Sequence, residues 1–215
     1  MRRMWNVSFA AFARVAGAAA LVFAVLLAPA NAQTTAASAQ SFIAENVQKG
    51  LAILSDASLS QADRRGQFET LLLSITDLDR TADFTLGSYR KTAPGADVSA
   101  FISQFQNYAI AVYQSYFARY QGETLKVTGA VAHAPGDVVV STVLIDPHAA
   151  NGEAPLQIDF RVMDENGKPM IVDFSVAGIW LAQEERDQFT AFLSQHGASI
   201  PALTEHLKQI EAQYK

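Results

Sequence analysis

The chain has 215 residues, half of them hydrophobic, with no cysteine and a formal net charge of −5. Without cysteine it has no disulfide, no thiolate metal site and no lipid-modified cysteine. Its acidic balance gains nothing from phosphate backbones or anionic membrane surfaces, which argues against nucleic-acid binding.

Arg2, Arg3 and Arg14 precede an apolar run from Val15 to Ala28, and Pro29 leads into Ala30-Asn31-Ala32. A basic start, an apolar centre and a small-x-small ending read as a secretory signal peptide over residues 1–32. The apolar run is shorter than the roughly 20 residues of a membrane helix. Cleavage removes those three arginines and no acid from 16 basic and 21 acidic residues, leaving 13 against 21, or −8. The expectation is an exported chain in a bacterial periplasm, with residues 33–40 as a mobile small-residue tether and residues 41–215 as one domain with a sizeable core.

A first helix is predicted over Ser41–Leu54, with Ile43, Val47, Leu51 and Leu54 at helical spacing. Ser60 and Asp63 resemble a capping start for a second, which carries Phe68, Leu71, Leu72 and Ile75 inward. A shorter helix over Asp77–Leu86 ends at Gly87, and Pro94-Gly95 breaks the chain. The longest predicted helix, Val98–Tyr120, carries an aromatic stripe through Phe101, Phe105, Tyr108, Val112, Tyr116 and Tyr120, and Gly122 closes it.

Beyond Gly122 the period changes to two. Strands are predicted over Thr124–Val131 and Asp137–Asp146, joined by Ala134-Pro135-Gly136. After a loop, Leu156, Ile158, Phe160 and Val162 alternate with Gln157, Asp159 and Arg161. Asn166-Gly167 is a hairpin turn, because both residues tolerate positive φ. Met170, Val172, Phe174 and Val176 form the matching apolar row. Helices over Gln183–Gln195 and Ile200–Tyr214 close the chain, the latter with Pro201 in its first turn. Helices, four consecutive strands, then helices make an α+β fold with a four-stranded antiparallel sheet.

Motifs for chemistry are absent. His133, His148, His196 and His206 lack metal-ligand spacing, and no nucleophile elbow, Walker loop or dinucleotide fingerprint occurs. The alternation puts Asp159 and Asp173 opposite the apolar rows, with Asp159 in a solvent-face pair with Arg161 and nothing local to raise either pKa. No residue is assigned a catalytic, cofactor or metal role.

Leu156-Gln157-Ile158-Asp159-Phe160-Arg161, Val172-Asp173-Phe174-Ser175-Val176-Ala177-Gly178-Ile179, and the following helix with Arg186, Phe189, Leu193 and closing Gly197 together resemble the MlaC family, also called toluene-tolerance proteins. Leu86-Gly87-Ser88-Tyr89 and the helix through Phe101, Phe105 and Tyr113 to Tyr120-Gln121-Gly122 match the same family. Departures at Pro169, Ala177 and Trp180 bear on the cargo, and the family includes hopanoid-associated members. The resemblance implies a periplasmic phospholipid carrier, shuttling between an outer-membrane lipoprotein or porin complex and an inner-membrane MCE-domain ABC transporter. Phe105, Tyr108, Val112, Ile158, Phe160, Val172 and Phe174 are the expected lining of an apolar cavity enclosed by the sheet and helices. A hopanoid or other polycyclic lipid is the alternative cargo. An isomerase-like cavity enzyme and a solid-cored interaction module are the alternatives of other classes.

Overall fold

The protein is described by a computed structural model covering residues 33–117, 120–150 and 154–214. The leader expected over residues 1–32 lies outside the described residues. Helices α1 (Ala36–Ser55), α2 (Gln61–Ile75) and α3 (Leu78–Thr85) come first, followed by a 3-10 turn over Gly87–Lys91 and helix α4 (Gly95–Phe117). Strands β1 (Thr124–Ala134), β2 (Asp137–Ile145), β3 (Leu156–Glu165), β4 (Lys168–Val176) and β5 (Ile179–Trp180) then lead to α5 (Leu181–Gln195) and α6 (Ile200–Glu211). The strands pair in sequence order, each antiparallel to the next, so the α+β class stands and the sheet gains a two-residue fifth strand.

Short polar side chains start the helices where the sequence placed them. Ser60 Oγ accepts from Asp63 N at 3.1 Å, and Asp77 Oδ1 accepts from Arg80 N at 3.0 Å. The tether expected over residues 33–40 is a correction, because α1 begins inside it. Thr35 Oγ1 accepts from Ser38 N at 3.1 Å and Ser38 Oγ accepts from Thr35 N at 2.8 Å. Thr34 donates from both its amide and its hydroxyl to Asp164 Oδ2, each at 3.0 Å. Small side chains looked like slack in the sequence. Here they let the helix approach the sheet closely, and Ala39 is fully buried against it.

The β3–β4 connection is the predicted two-residue turn. Glu165 pairs with Lys168, and Asn166 and Gly167 take φ of 53° and 83° between them. The β4–β5 connection repeats that geometry with Ala177 at φ 52° before Gly178. An alanine held in the left-handed region costs about 1–2 kcal/mol.

One register feature corrects the predicted β4 row. Arg161 faces Asp173 and Val162 faces Ile171, so Val172 is the extra residue of a β-bulge. Beyond the bulge Ile171, in place of Val172, joins the buried row with Val162. Met170 pairs with Met163 on the opposite face.

Two apolar centres result. One lies among helices, where Phe101, Phe105, Phe189, Leu193, Leu203 and Leu207 are buried together. The other lies between α1 and the sheet, built from Ala39, Ile43, Val138, Val140, Val162 and Ile171, with Phe160 and Ile75 partly buried beside it.

Candidate functional site

One sheet face carries the group of large apolar side chains that the sequence singled out. Phe160 and Phe174 are paired directly across β3 and β4, as are Ile158 and Val176, so all four share a face. The rings of Phe160 and Phe174 stack with centroids 6.3 Å apart at 30°. Tyr113 of α4 adds a third ring 5.6 Å from Phe174. Ile158, Phe160, Phe174 and Tyr113 are only half-buried, as is Val112 beside Tyr113 on α4.

The other expected lining residues lie elsewhere. Phe105 is 2% exposed in the helical centre, with its ring 6.0 Å from Phe101 and 6.4 Å from Phe189. Tyr108 sits at the margin of that centre, edge-on to Phe105 at 6.1 Å. Val172 lies at the bulge, where its carbonyl accepts from Thr81 Oγ1 at 2.8 Å. Tyr113 was absent from the expected lining, although its position one residue after Val112 on the aromatic helix was a usable signal.

Both suspected carboxylates are corrections. Asp159 is 8% exposed, not at a solvent face, and Arg161 is not its partner. Gln157 Nε2 donates to both its oxygens at 3.1 and 3.0 Å, and Ser175 Oγ donates at 3.2 Å. Arg161 instead grips Asp137 across the sheet, Nε to Oδ1 at 3.0 Å and Nη2 to Oδ2 at 2.7 Å, and those bonds hold Asp137 below the usual carboxylate range.

Asp173 Oδ1 accepts from Phe174 N at 2.8 Å and from Ala182 N at 2.9 Å. It therefore caps the first turn of α5, whose own N-cap residue Trp180 supplies no side-chain bond. Burial pushes Asp173 up, which the sequence reading did not anticipate. Near it, burial raises Glu185 to about 7, aided by the charge of Asp173 and opposed by a hydrogen bond from the Tyr108 hydroxyl. Burial likewise pushes the Tyr108 phenol up. In the sequence Glu185 is one of two adjacent acids on a polar helix, and only the packing of α5 near α4 and β4 distinguishes it.

Asn107, Ile110, Ala111 and Gln114 form another stripe of α4, and they border a cleft of about 340 Å³ that also meets Arg65, Glu69 and Glu211. An adjoining cleft of about 170 Å³ is lined by Leu54, Gln61, Arg64, Arg65, Phe68, Gln114 and Tyr120. None of the seven expected lining residues borders either one. Among the described residues no three His, Asp or Glu side chains gather as metal ligands. His196 and His206 instead stack on the Phe192 ring, at 3.9 and 4.7 Å between centroids.

Residues 44–209 match the family model described as MlaC protein. The chain belongs to the MlaC family. The matched MlaC segment runs from the third turn of α1 into α6, so it takes in the sheet, the ring face and the Tyr108–Glu185–Asp173 group. The fold is similar to that of the phospholipid-binding protein from Ralstonia solanacearum, solved in complex with a phospholipid. The two chains are 24% identical, and the match covers 82% of this MlaC-family chain and 98% of that one, with a TM-score of 0.68.

Proposed function

We propose that this MlaC-family chain is a phospholipid carrier that holds acyl chains against the Ile158, Phe160, Phe174 and Tyr113 face. The observation that carries the reading is a cluster of large apolar rings left half-buried between sheet and helix, in a fold shared with a protein solved in complex with a phospholipid. Two acyl chains carry about 30 methylenes, and their exposure to water costs roughly 24 kcal/mol at ~0.8 kcal/mol each. A carrier must cover nearly all of that surface, which needs apolar wall that the protein has not already covered with its own side chains. Val112 flanks the wall beside Tyr113 on α4, whereas Phe105 and Tyr108 belong to the helical centre and Val172 to the bulge.

In this reading the leader over residues 1–32 exports the chain to the periplasm. There the carrier shuttles lipid between an outer-membrane lipoprotein or porin complex and an inner-membrane MCE-domain ABC transporter. Direction is imposed by those partners, because a wall of bilayer-like apolarity makes extraction and delivery close to isoenergetic. A hopanoid is the alternative cargo, since flat stacked rings suit a polycyclic skeleton. The cavity-enzyme alternative calls for a carboxylate of raised pKa, and Glu185 is one, but Tyr108 already hydrogen-bonds it. Native mass spectrometry of the mature chain purified without detergent tests the carrier: a co-purifying phospholipid supports it, and bare protein overturns it.

A further inference from the structure

We propose that the smaller cleft, where α1, α2 and α4 approach one another, binds a phosphate group through Arg64 and Arg65. The carrier reading enters only in saying where that phosphate comes from.

The lining is divided by chemistry. Leu54, Phe68 and Tyr120 offer apolar surface, while Gln61, Arg64, Arg65 and Gln114 offer hydrogen-bond donors. Two arginines border it with no carboxylate among the described lining residues, on a chain whose overall charge is negative. Asp56 feels the Arg64 charge from outside the lining, its carboxylate accepting from Ser58, and the two acids of the neighbouring cleft are engaged by amides: Gln114 Nε2 donates to Glu69 Oε2 at 3.3 Å, and Gln104 Nε2 donates to Glu211 Oε2 at 2.6 Å.

Arg64 is already oriented. Its Nη2 donates to the carbonyls of Asp56 at 2.7 Å and Leu59 at 3.5 Å, which fixes the guanidinium on the α1–α2 connection. Its Nε is buried and has no hydrogen-bond partner. A buried donor without an acceptor is costly, and a small shift of the Arg64 side chain on anion binding would bring that N–H to an acceptor in the cleft. Arg65 is exposed, borders both clefts and makes no ion pair among the described residues. A guanidinium held in place next to a second one without an ion pair among the described residues suits a tetrahedral oxyanion, which accepts several bonds at once.

The position suits a headgroup. Gln114 lines the cleft, and its neighbour Tyr113 lies against Phe174 on the apolar wall. Consecutive residues of α4, about 100° apart around the helix, thus face the phosphate donors and the surface for acyl chains.

The test uses the mature chain and its Arg65→Glu and Arg65→Lys variants, with folding checked by circular dichroism. Each is incubated with vesicles of phosphatidylglycerol or of digalactosyl diacylglycerol with the same acyl chains, and loading is read by native mass spectrometry. Inorganic phosphate is titrated separately and followed by 31P line broadening. The wild type is expected to favour phosphatidylglycerol by about tenfold, the value of one charge-assisted bond of about 1.4 kcal/mol. Arg65→Glu should bring that ratio near one without lowering galactolipid loading, and Arg65→Lys should keep part of it. Phosphate broadening lost in Arg65→Glu, with no lipid preference to lose, supports the site with free phosphate as its ligand. A lipid ratio and a phosphate response both unchanged in Arg65→Glu overturn it. If neither lipid loads, the carrier reading fails alone, and the phosphate titration still decides this one.

Discussion

Phe105 and Phe160 are the same side chain in two settings. Phe105 is enclosed from several sides, with Phe101 on its own helix and Phe189 on α5 meeting its ring, and α6 leucines completing the same cluster. Phe160 stacks on Phe174 across the strand pair, and Tyr113 meets the Phe174 ring, yet the Phe160 ring stays half-buried. The difference lies in what helices and sheets do to a side chain. Neighbouring helices can surround a ring, whereas a sheet face is covered only where another layer lies on it. Helix α1 lies chiefly across β1 and β2. That closes the Val138–Val140 region and leaves the Phe160–Phe174 region thinly roofed.

The most direct way to sharpen this contrast is to truncate both rings. Phe105→Ala should cost about 3–5 kcal/mol in urea unfolding, the range for a fully buried phenylalanine. Phe160→Ala should cost clearly less, and an equal loss would show that the wall is ordinary solid core. Phe160→Asp carries the contrast from stability to binding. It should abolish lipid loading in native mass spectrometry while the far-ultraviolet circular dichroism stays folded, and loading that persists would break the assignment of the wall.

A third measurement concerns the join between the two regions, where Glu185 and Asp173 sit. Burial holds Glu185 at about 7 against an ordinary 4.5, so between those values the folded chain keeps a proton that the unfolded chain has released. Stability from this group is therefore greatest at low pH and falls as pH rises from about 4.5 to about 7. Asp173, raised by burial as well, acts in the same direction. Asp137, held low by Arg161, titrates below that window. Melting temperatures from about pH 5 to about pH 8 should decline in the wild type and flatten in Glu185→Gln. The smallest effect expected is that of Asp173→Ala, about 1 kcal/mol for a lost helix cap, measured by urea unfolding. A loss several times larger would mean that this carboxylate ties sheet and helices together more tightly than a cap.

Much of the architecture was readable because it depends on neighbours in the chain. Strict alternation from Leu156 to Val162 gave β3 its period, and Asn166-Gly167 named its own turn through the positive φ that both residues tolerate. Ser60 and Asp77 announced helix starts because a short oxygen acceptor reaches an amide only three residues on. The ring face followed from the same alternation, since Ile158, Phe160 and Phe174 needed only the correct strand pairing to meet.

Other features depend on contacts between residues far apart in the chain. Val172 leaves its predicted row because a bulge is a property of two strands together, and no single strand carries its register. Thr34 is held by Asp164, 130 positions away, which turns an apparent tether into the anchored start of α1. Asp159 is buried, and Arg161 pairs with Asp137, because acceptors across the sheet outcompete the neighbour two residues along the strand. Spacing and turn chemistry act over a few residues and can be read from a string of letters. Burial, pairing and the choice between a filled core and an open wall are set by which distant elements come to lie together, and that is decided when the chain folds.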